Sequence, residues 1–249
     1  MNSYAKFASF YDALTGNVSY KKRAAYFDKL LRAHNPPGNI LLDLACGTGS
    51  LSVEFARLGY DVIGVDSSED MLNEAIEKKY EQGFDIQFLR QSMQDLDMFG
   101  TVDCAVCALD SLNHITDPDE LQKALGRVSL FLHPQGTFVF DVNTLYKHEQ
   151  VLRNNTFVYD LEEVYCVWQN QYLGEGLTAI TLDFFEPDGE VYLRWGEEFK
   201  ERAYSQIQME QMLTRAGLRI EAVYGDDTLE PPGPQTQRLI YVTQKQQNG

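Results

Sequence analysis

Along the first 142 residues, short apolar runs alternate with segments whose apolar residues recur every three or four positions. Apolar runs bounded by turn residues are typical of buried strands, and the three-to-four spacing is typical of helices that pack against them. Strands that alternate with helices in this way indicate a mainly parallel sheet covered by helices on both faces. The pattern predicts helices over residues 4–12, 18–34, 51–58, 69–80 and 118–131, and strands over residues 40–44, 61–65, 86–89, 102–108 and 137–141.

The pattern changes between residues 143 and 204, where apolar and polar positions alternate one by one. This alternation continues on both sides of Pro187-Asp188-Gly189, which predicts a β-hairpin that turns at these three residues. After residue 204 the first pattern returns, with a helix over 205–216 and strands over 218–224 and 238–243. We therefore expect an α/β core formed by residues 1–142 and 205–249, with an antiparallel β lobe inserted over residues 143–204.

The charge balance narrows the range of partners. The 249 residues include 37 acidic and 21 basic side chains, which gives a formal net charge of −16. Because Lys and Arg contacts to phosphates supply most non-specific affinity for nucleic acid, so acidic a chain favours a small or cationic ligand. Lys21, Lys22 and Arg23 form the one obvious basic cluster. We therefore expect no nucleic-acid partner.

Membrane insertion and secretion are also not expected. No apolar run approaches the roughly 20 residues that a membrane helix needs, and the first residues lack the pattern of a signal peptide. We expect a cytoplasmic protein whose four cysteines stay reduced. Cys104 and Cys107 are three positions apart in a predicted strand, so they should point to opposite faces of the sheet. A metal site is therefore not expected at this pair.

The candidate chemistry begins with the stretch LLDLACGTGS, which places Gly47 and Gly49 directly after the first strand. Glycines at that point let a ligand approach the backbone closely, although a tight turn between strand and helix would need them too. Asp66 ends the second strand, 17 residues after Gly49. An acid there can accept hydrogen bonds from ribose hydroxyls, or it can simply cap the next helix. Together, the two motifs favour a nucleoside site.

The details of the glycine turn indicate which nucleoside is bound. A dinucleotide-binding turn needs a third glycine where this chain has Ser52, and it has no use for Asp43 inside the strand. The arrangement DLACGTG followed by VDSSEDML closely resembles the class I S-adenosylmethionine-dependent methyltransferases, on the side of the glycine and amino-sugar N-methyltransferases. The resemblance implies a seven-stranded Rossmann-like sheet with an antiparallel last strand, an N-terminal helical cover and an inserted antiparallel lobe.

The resemblance also implies roles for individual residues in holding S-adenosylmethionine. Asp43 would orient the cationic methionine part, the turn of residues 45–49 would lie against it, and the Asp66-Ser67 step would hold the ribose. Ser92 stands where the family often has an acid, so Ser92, the neighbouring backbone and Asp95 remain open as contacts of the adenine amino group. The cofactor-binding candidates are Tyr20, Asp43, Ala45, Cys46, Gly47, Gly49, Asp66, Ser67, Met71, Ser92, Met93 and Leu109.

Polar residues beyond the fourth strand and in the inserted lobe are the candidates for the acceptor side. Asp110, Asn113 and His114 follow the strand that the resemblance places beside the transferred methyl group. In the lobe, Arg194 and Glu198 belong to a charged strand that would meet the acceptor. Four side chains remain open as proton acceptors, namely Tyr11, Asp110, His114 and Glu198.

The predicted reaction is an in-line displacement in which an acceptor nitrogen or oxygen takes the methyl group and S-adenosylhomocysteine is released. It needs no metal and no covalent enzyme intermediate. We expect a small-molecule acceptor and a protein that is a monomer or a homodimer. Two alternatives remain, a methyltransferase that acts on RNA and a non-catalytic protein that binds S-adenosylmethionine.

Overall fold

A computed structural model describes residues 8, 10–12, 14 and 19–246. Its larger sheet has seven strands in the order β10-β11-β5-β4-β1-β2-β3. Strand β11 runs antiparallel to both β5 and β10, whereas the pairs among β1 to β5 are parallel. The strands of this sheet are β1 (Ile40–Leu44), β2 (Asp61–Asp66), β3 (Gln87–Arg90), β4 (Val102–Cys107), β5 (Leu132–Asn143), β10 (Leu218–Gly225) and β11 (Arg238–Lys245). The predicted mainly parallel sheet with an antiparallel last strand is confirmed.

Helices cover both faces of this sheet because its central strands are apolar on both sides. Leu42 and Leu44 belong to the hydrophobic cluster on one face, and Leu41 to the cluster on the other. Cys107 and Cys104 likewise fall in different clusters, so the prediction that they face opposite ways is confirmed. The helices are α1 (Tyr20–Ala33), α2 (Ser50–Arg57), α3 (Glu69–Gln82), α4 (Pro118–Phe131) and α5 (Gln206–Arg215).

Strand β5 is longer at both ends than the sequence pattern indicated. It begins at Leu132, directly after α4, and Leu132 pairs with Val102 before the register shifts by a bulge. The pattern missed this start because His133, Pro134 and Gln135 interrupt the apolar run. The π-helix Lys147–Leu152 was also not predicted.

A second sheet lies between β5 and α5 in sequence, and we call it the lobe sheet. It is fully antiparallel, with the order β6-β7-β8-β9. The predicted hairpin is present, but Pro187 and Asp188 still pair with Tyr192 and Val191, so the turn consists of Gly189 and Glu190 and not of residues 187–189. Alternate residues of β8 and β9 face inward and are more buried than their neighbours, whereas the other face meets solvent. The strands are β6 (Thr156–Asp160), β7 (Tyr165–Gly174), β8 (Leu177–Asp188) and β9 (Val191–Arg202).

Near the N-terminus, the described residues 10–12 and 14 are helical, and we call them the cover. Phe10 and Leu14 pack against the inner face of the lobe sheet. Tyr4 and Phe7, which the predicted helix 4–12 includes, lie outside the described residues. In the part of the chain that the structure describes, no helix is both long and apolar enough to cross a membrane.

Candidate active site

The turn after β1 has the conformation that its glycines predicted. Ala45, Gly47 and Gly49 all have positive φ angles, of 56°, 54° and 72°, as the chain bends into α2. A Cβ atom on Gly49 would lie 2.9 Å from Cβ of Ala75, so Gly49 is needed for the approach of α2 to α3. A Cβ atom on Gly47 would meet nothing within 4 Å, which leaves its backbone open to a ligand.

Asp66 connects the end of β2 to this glycine turn. One carboxylate oxygen accepts a 2.9 Å hydrogen bond from the amide of Gly47, and the other accepts a 2.8 Å bond from the amide of Ser68. Ser68, not Asp66, caps α3, because its side chain accepts a bond from the amide of Met71. Burial raises the pKa of Asp66. Its oxygens keep further acceptor capacity, so Asp66 can still bind a ribose hydroxyl.

Asp43 lies in the middle of the sheet and is 1% exposed. Its Oδ2 atom accepts a 2.5 Å hydrogen bond from the hydroxyl of Ser52. Burial, together with the nearby charge of Asp66, raises the pKa of Asp43 to about 7, although the hydrogen bond from Ser52 acts in the opposite direction. No ion pair joins Asp43 to a cation among the described residues. A buried carboxylate without a counter-ion favours a positively charged ligand.

A cavity lies over these groups, between the glycine turn and the residues that follow β4. Seven of the predicted site residues line it together, namely Tyr11, Tyr20, Asp43, Ala45, Cys46, Gly47 and Leu109. Thr48, Ser50, Leu51, Ala108 and Ser111 complete the lining. The structure therefore brings residues from the cover, α1, β1, the glycine turn and the segment after β4 around one space.

Six of the predicted cofactor-binding residues do not line this cavity, namely Gly49, Asp66, Ser67, Met71, Ser92 and Met93. Met71 is buried on α3, and Met93 packs against the hydrophobic cluster beside α4. Ser92 caps a short 3-10 helix, because its hydroxyl bonds to both the amide and the carboxylate of Asp95. Asp95 in turn pairs with Lys123 at 2.9 Å. Ser67 has its carbonyl bonded to the side chain of Arg90 at the edge of the sheet.

Lys78 of α3 fastens the cover to the glycine turn. Its Nζ atom lies 2.6 Å from a carboxylate oxygen of Asp12, 2.6 Å from the hydroxyl of Ser50 and 3.0 Å from the carbonyl oxygen of Thr48. The hydroxyl of Tyr20 also donates to Asp12, at 3.3 Å. Sequence reasoning missed Lys78, because a lysine on an exposed helix carries no signal of a distant partner.

Asp141, at the end of β5, holds the backbone of the segment after β4. Leu109 and Asp110 have φ angles of 59° and 55°, which are unfavourable for residues with side chains. Their amides donate to the two carboxylate oxygens of Asp141, at 3.0 and 2.6 Å. Asp141 is fully buried and is neutralised by Arg23 at 2.8 Å and by Arg238. This arrangement fixes the shape of the cavity wall.

Asp110 is poorly suited to the predicted role of proton acceptor. Its Oδ1 atom pairs with Arg238 at 2.7 Å, and its Oδ2 atom accepts a 2.8 Å bond from the amide of Asn143. Burial alone would raise its pKa, but the positive charges of Arg238 and Lys147 hold the pKa well below its usual range. A carboxylate with both oxygens bonded and a low pKa is a weak base.

His114 lies beside a buried acid that the sequence did not indicate. The Nε2 atom of His114 is 3.7 Å from Oε1 of Glu201, and Nε2 of His148 is 3.8 Å from Oε2 of the same carboxyl group. Burial and the charge of Asp110 raise the pKa of Glu201 to about 8, whereas burial lowers the pKa of His114. The ring of His114 packs on Phe199 with centroids 5.1 Å apart and remains half-exposed.

The other acceptor-side predictions need correction. Asn113 is fully engaged in the fold, since its amide bonds to the backbone of Asn143 and Arg202. Arg194 and Glu198 lie on the solvent-facing side of β9, where Arg194 pairs with Asp183 at 2.8 Å. Because side chains alternate along a strand, the adjacent residues of β9 face inward instead. These inward residues are Trp195, Glu197, Phe199 and Glu201.

Comparisons with known proteins indicate the family of this chain. Residues 41–136 match a family model described as a methyltransferase domain. A Bacillus subtilis (strain 168) protein named "Putative methyltransferase YqeM" is 33% identical over 97% of both chains. The crystal structure of an S-adenosylmethionine-dependent methyltransferase from Clostridium acetobutylicum superposes with a TM-score of 0.89, at 36% identity over 99% of this chain and 100% of that one. A glycine/sarcosine N-methyltransferase of Parasynechococcus marenigrum is 26% identical over 79% of this chain and 71% of its own length.

The mainly parallel sheet, the glycine turn after its first strand and the acid that ends its second define a Rossmann-like fold of the kind that binds nucleoside ligands. The two relatives that match over nearly the full length make the assignment more specific. The chain belongs to the S-adenosylmethionine-dependent methyltransferases.

Proposed function

We propose that this methyltransferase transfers the methyl group of S-adenosylmethionine to a nitrogen or oxygen atom of a small molecule. The observation that carries the proposal is the cover, which connects the two sides of the site. Asp12 bonds to Lys78 beside the glycine turn, and Phe10 stacks on Trp195 of the lobe sheet with ring centroids 5.9 Å apart. A cavity covered in this way suits an acceptor that can be enclosed, and it does not suit a long polymer.

The residues that line the cavity, together with Asp66 next to Gly47, suit the cofactor in charge and in shape. Asp43 supplies a buried negative charge for the cationic methionine part, Gly47 leaves its backbone accessible, and Asp66 is placed for the ribose. When bound, S-adenosylmethionine supplies an electrophilic methyl group on a positively charged sulfur. Residues 1–142 and 205–249 form the part that holds it in this proposal, and residues 143–204 form the part that meets the acceptor.

The chain contributes position, exclusion of water and proton transfer. The cover and the lobe sheet would hold the acceptor atom in line with the bond that breaks, roughly 3 Å from the methyl carbon. Burial and the neighbouring Tyr20 and Asp110 raise the pKa of Tyr11, so its hydroxyl keeps its proton. In this proposal the hydroxyl donates a hydrogen bond to the methyl acceptor and so orients it. We assign the role of proton acceptor to His114, because its ring is half-exposed and uncharged at neutral pH. The carboxyl group of Glu201 lies 3.7 Å from its Nε2 atom.

RNA is less well supported as the methyl acceptor. Of the basic cluster, Arg23 is not free for phosphate, since it pairs with Asp141 and with Asp227 at 2.8 Å. Only Lys21 and Lys22 remain exposed at this position. Two lysines give little of the affinity that a polyanion requires.

The proposal is tested by transfer of isotope-labelled methyl groups from S-adenosylmethionine into a bacterial extract that is then separated into metabolites, RNA and protein. Label in the metabolite fraction supports a small-molecule acceptor and identifies it. Label in RNA contradicts the proposal. Binding of the cofactor by calorimetry without any transfer would favour the non-catalytic alternative.

A further inference from the structure

The inner face of β9 carries two carboxylates among aromatic and aliphatic side chains. Trp195, Glu197 and Phe199 lie on this face, opposite Phe184, Leu182 and Ile180 of β8. Phe199 packs on His114, so the face adjoins the 3-10 helix Ser111–His114 that follows β4. The carboxylate of Glu197 on this face needs an explanation, because an apolar residue opposite Leu182 would pack better.

Two polar atoms of this face are buried without hydrogen-bond partners among the described residues. They are Oε1 of Glu197 and the indole Nε1 of Trp195. The ring faces of Trp195 are already covered by Phe184, at a centroid distance of 4.0 Å, and by Phe10. The group of this indole that remains without a partner is the N–H donor at its edge. The unmet groups are thus one hydrogen-bond acceptor with negative charge and one neutral donor.

The nearest arginine in sequence does not supply the missing cation. Arg194 points to the opposite face of β9 and is bonded there to Asp183, through both Nε and Nη2. In the part of the chain described by the structure, no ion pair involves Glu197. A buried carboxylate oxygen without a partner is unfavourable, and a bound cation with N–H donors would remove that cost by a charge-assisted hydrogen bond.

We propose that this face binds the methyl acceptor and that Glu197 selects an acceptor bearing a protonated amine, while the N–H of Trp195 donates to an oxygen of the same molecule. The inference rests on the proposed function, because it assigns a ligand to the acceptor side of that site. Glu197 and Trp195 are two residues apart on one face, about 7 Å along the strand. The acceptor class is therefore a small amine with an oxygen substituent within that reach.

The test measures binding to protein saturated with S-adenosylhomocysteine, so that it does not depend on turnover. The probes are two pairs of molecules with the same skeleton and different charge, namely glucosamine with glucose and phenethylamine with 2-phenylethanol. Their binding is measured by ligand-observed NMR at pH 7. We expect the ammonium member of at least one pair to bind about tenfold tighter than its alcohol. The Glu197→Gln variant should lose this preference.

Glu198→Gln is the matched control, because Glu198 lies on the same strand and faces solvent. It should keep the preference, and both variants should keep their affinity for S-adenosylhomocysteine and their melting temperature. Absence of an ammonium preference in both wild-type pairs, or its survival in Glu197→Gln, would overturn the inference. A clear preference for the ammonium probes, combined with no methyl transfer from S-adenosylmethionine to any fraction of the bacterial extract, would instead refute the proposed function. The ammonium site would then remain supported.

Discussion

The ammonium group of Lys78 lies 2.6 Å from the carboxylate of Asp12 and so ties α3 to the cover across the glycine turn. Lys78→Met should leave the cover less firmly closed and raise the KM for S-adenosylmethionine several-fold, with little change in unfolding free energy, because the pair is partly exposed. Initial-rate kinetics would measure it. The control is Lys200→Met, at an exposed position of β9, which should behave like the wild type.

Asp66 offers a second test, directed at the ribose. Asp66→Ala removes the carboxylate that bonds to Gly47, and we expect it to weaken S-adenosylmethionine binding by about 1.5–3 kcal/mol. Calorimetry would measure the change. Asp61→Ala, at the exposed start of the same strand, is the control. Unchanged affinity in Asp66→Ala would remove Asp66 from the cofactor site.

The buried Asp43 predicts that cofactor binding depends on pH. Its pKa of about 7 means that part of the population is protonated near neutrality, and a cationic ligand binds better to the charged form. The affinity for S-adenosylmethionine should therefore rise between pH 6 and pH 8, and binding should release protons. Calorimetry in buffers of different ionisation enthalpy counts those protons. Asp43→Asn should abolish both effects, and a dependence that persists in this variant would assign them to another group.

Asp141 should matter more for stability than any other acid near the site. Asp141→Asn leaves Arg23 and Arg238 partly unneutralised and loosens the backbone of Leu109 and Asp110, so we expect a loss of about 3–5 kcal/mol in unfolding free energy. Urea denaturation would measure it. Asp227→Asn, which removes only the exposed partner of Arg23, should cost less than about 1 kcal/mol. Equal losses in the two variants would contradict the central role of Asp141.

The raised pKa of Glu201 leads us to expect that the unfolding free energy depends on pH. Its carboxyl group holds a proton in the folded state up to a pKa of about 8, whereas the unfolded chain releases that proton near 4.5. Folding therefore takes up a proton in this window, and the contribution of Glu201 to stability falls as the pH rises from 4.5 to 8. Glu201→Gln cannot ionise, so its unfolding free energy relative to the wild type should increase from pH 5 to pH 8. Glu198→Gln should show no such trend, and a flat difference for Glu201→Gln would contradict the raised pKa.

The sequence by itself determined the architecture of the core and the cofactor class. The apolar runs are short and separated by clear turns, so strands such as β1 and helices such as α4 have the predicted bounds. Gly47, Gly49 and Asp66 are recognisable because the turn and the strand end are local features, set by neighbours within a few residues. Local features of this kind can be recognised from the order of residues in the sequence.

The tertiary structure alone decided which charged residues of β9 face inward. Strand β9 carries charges on both faces, Arg194 and Glu198 on one and Glu197 and Glu201 on the other, so alternation predicts the strand but not which face is buried. Packing of β9 against His114 and the cover settles that choice. Likewise, Asp141 bonds to Arg23, Leu109, Asp110 and Arg238, which lie far apart in the sequence. Such a contact arises from the order of strands in the sheet, and no short-range pattern encodes it.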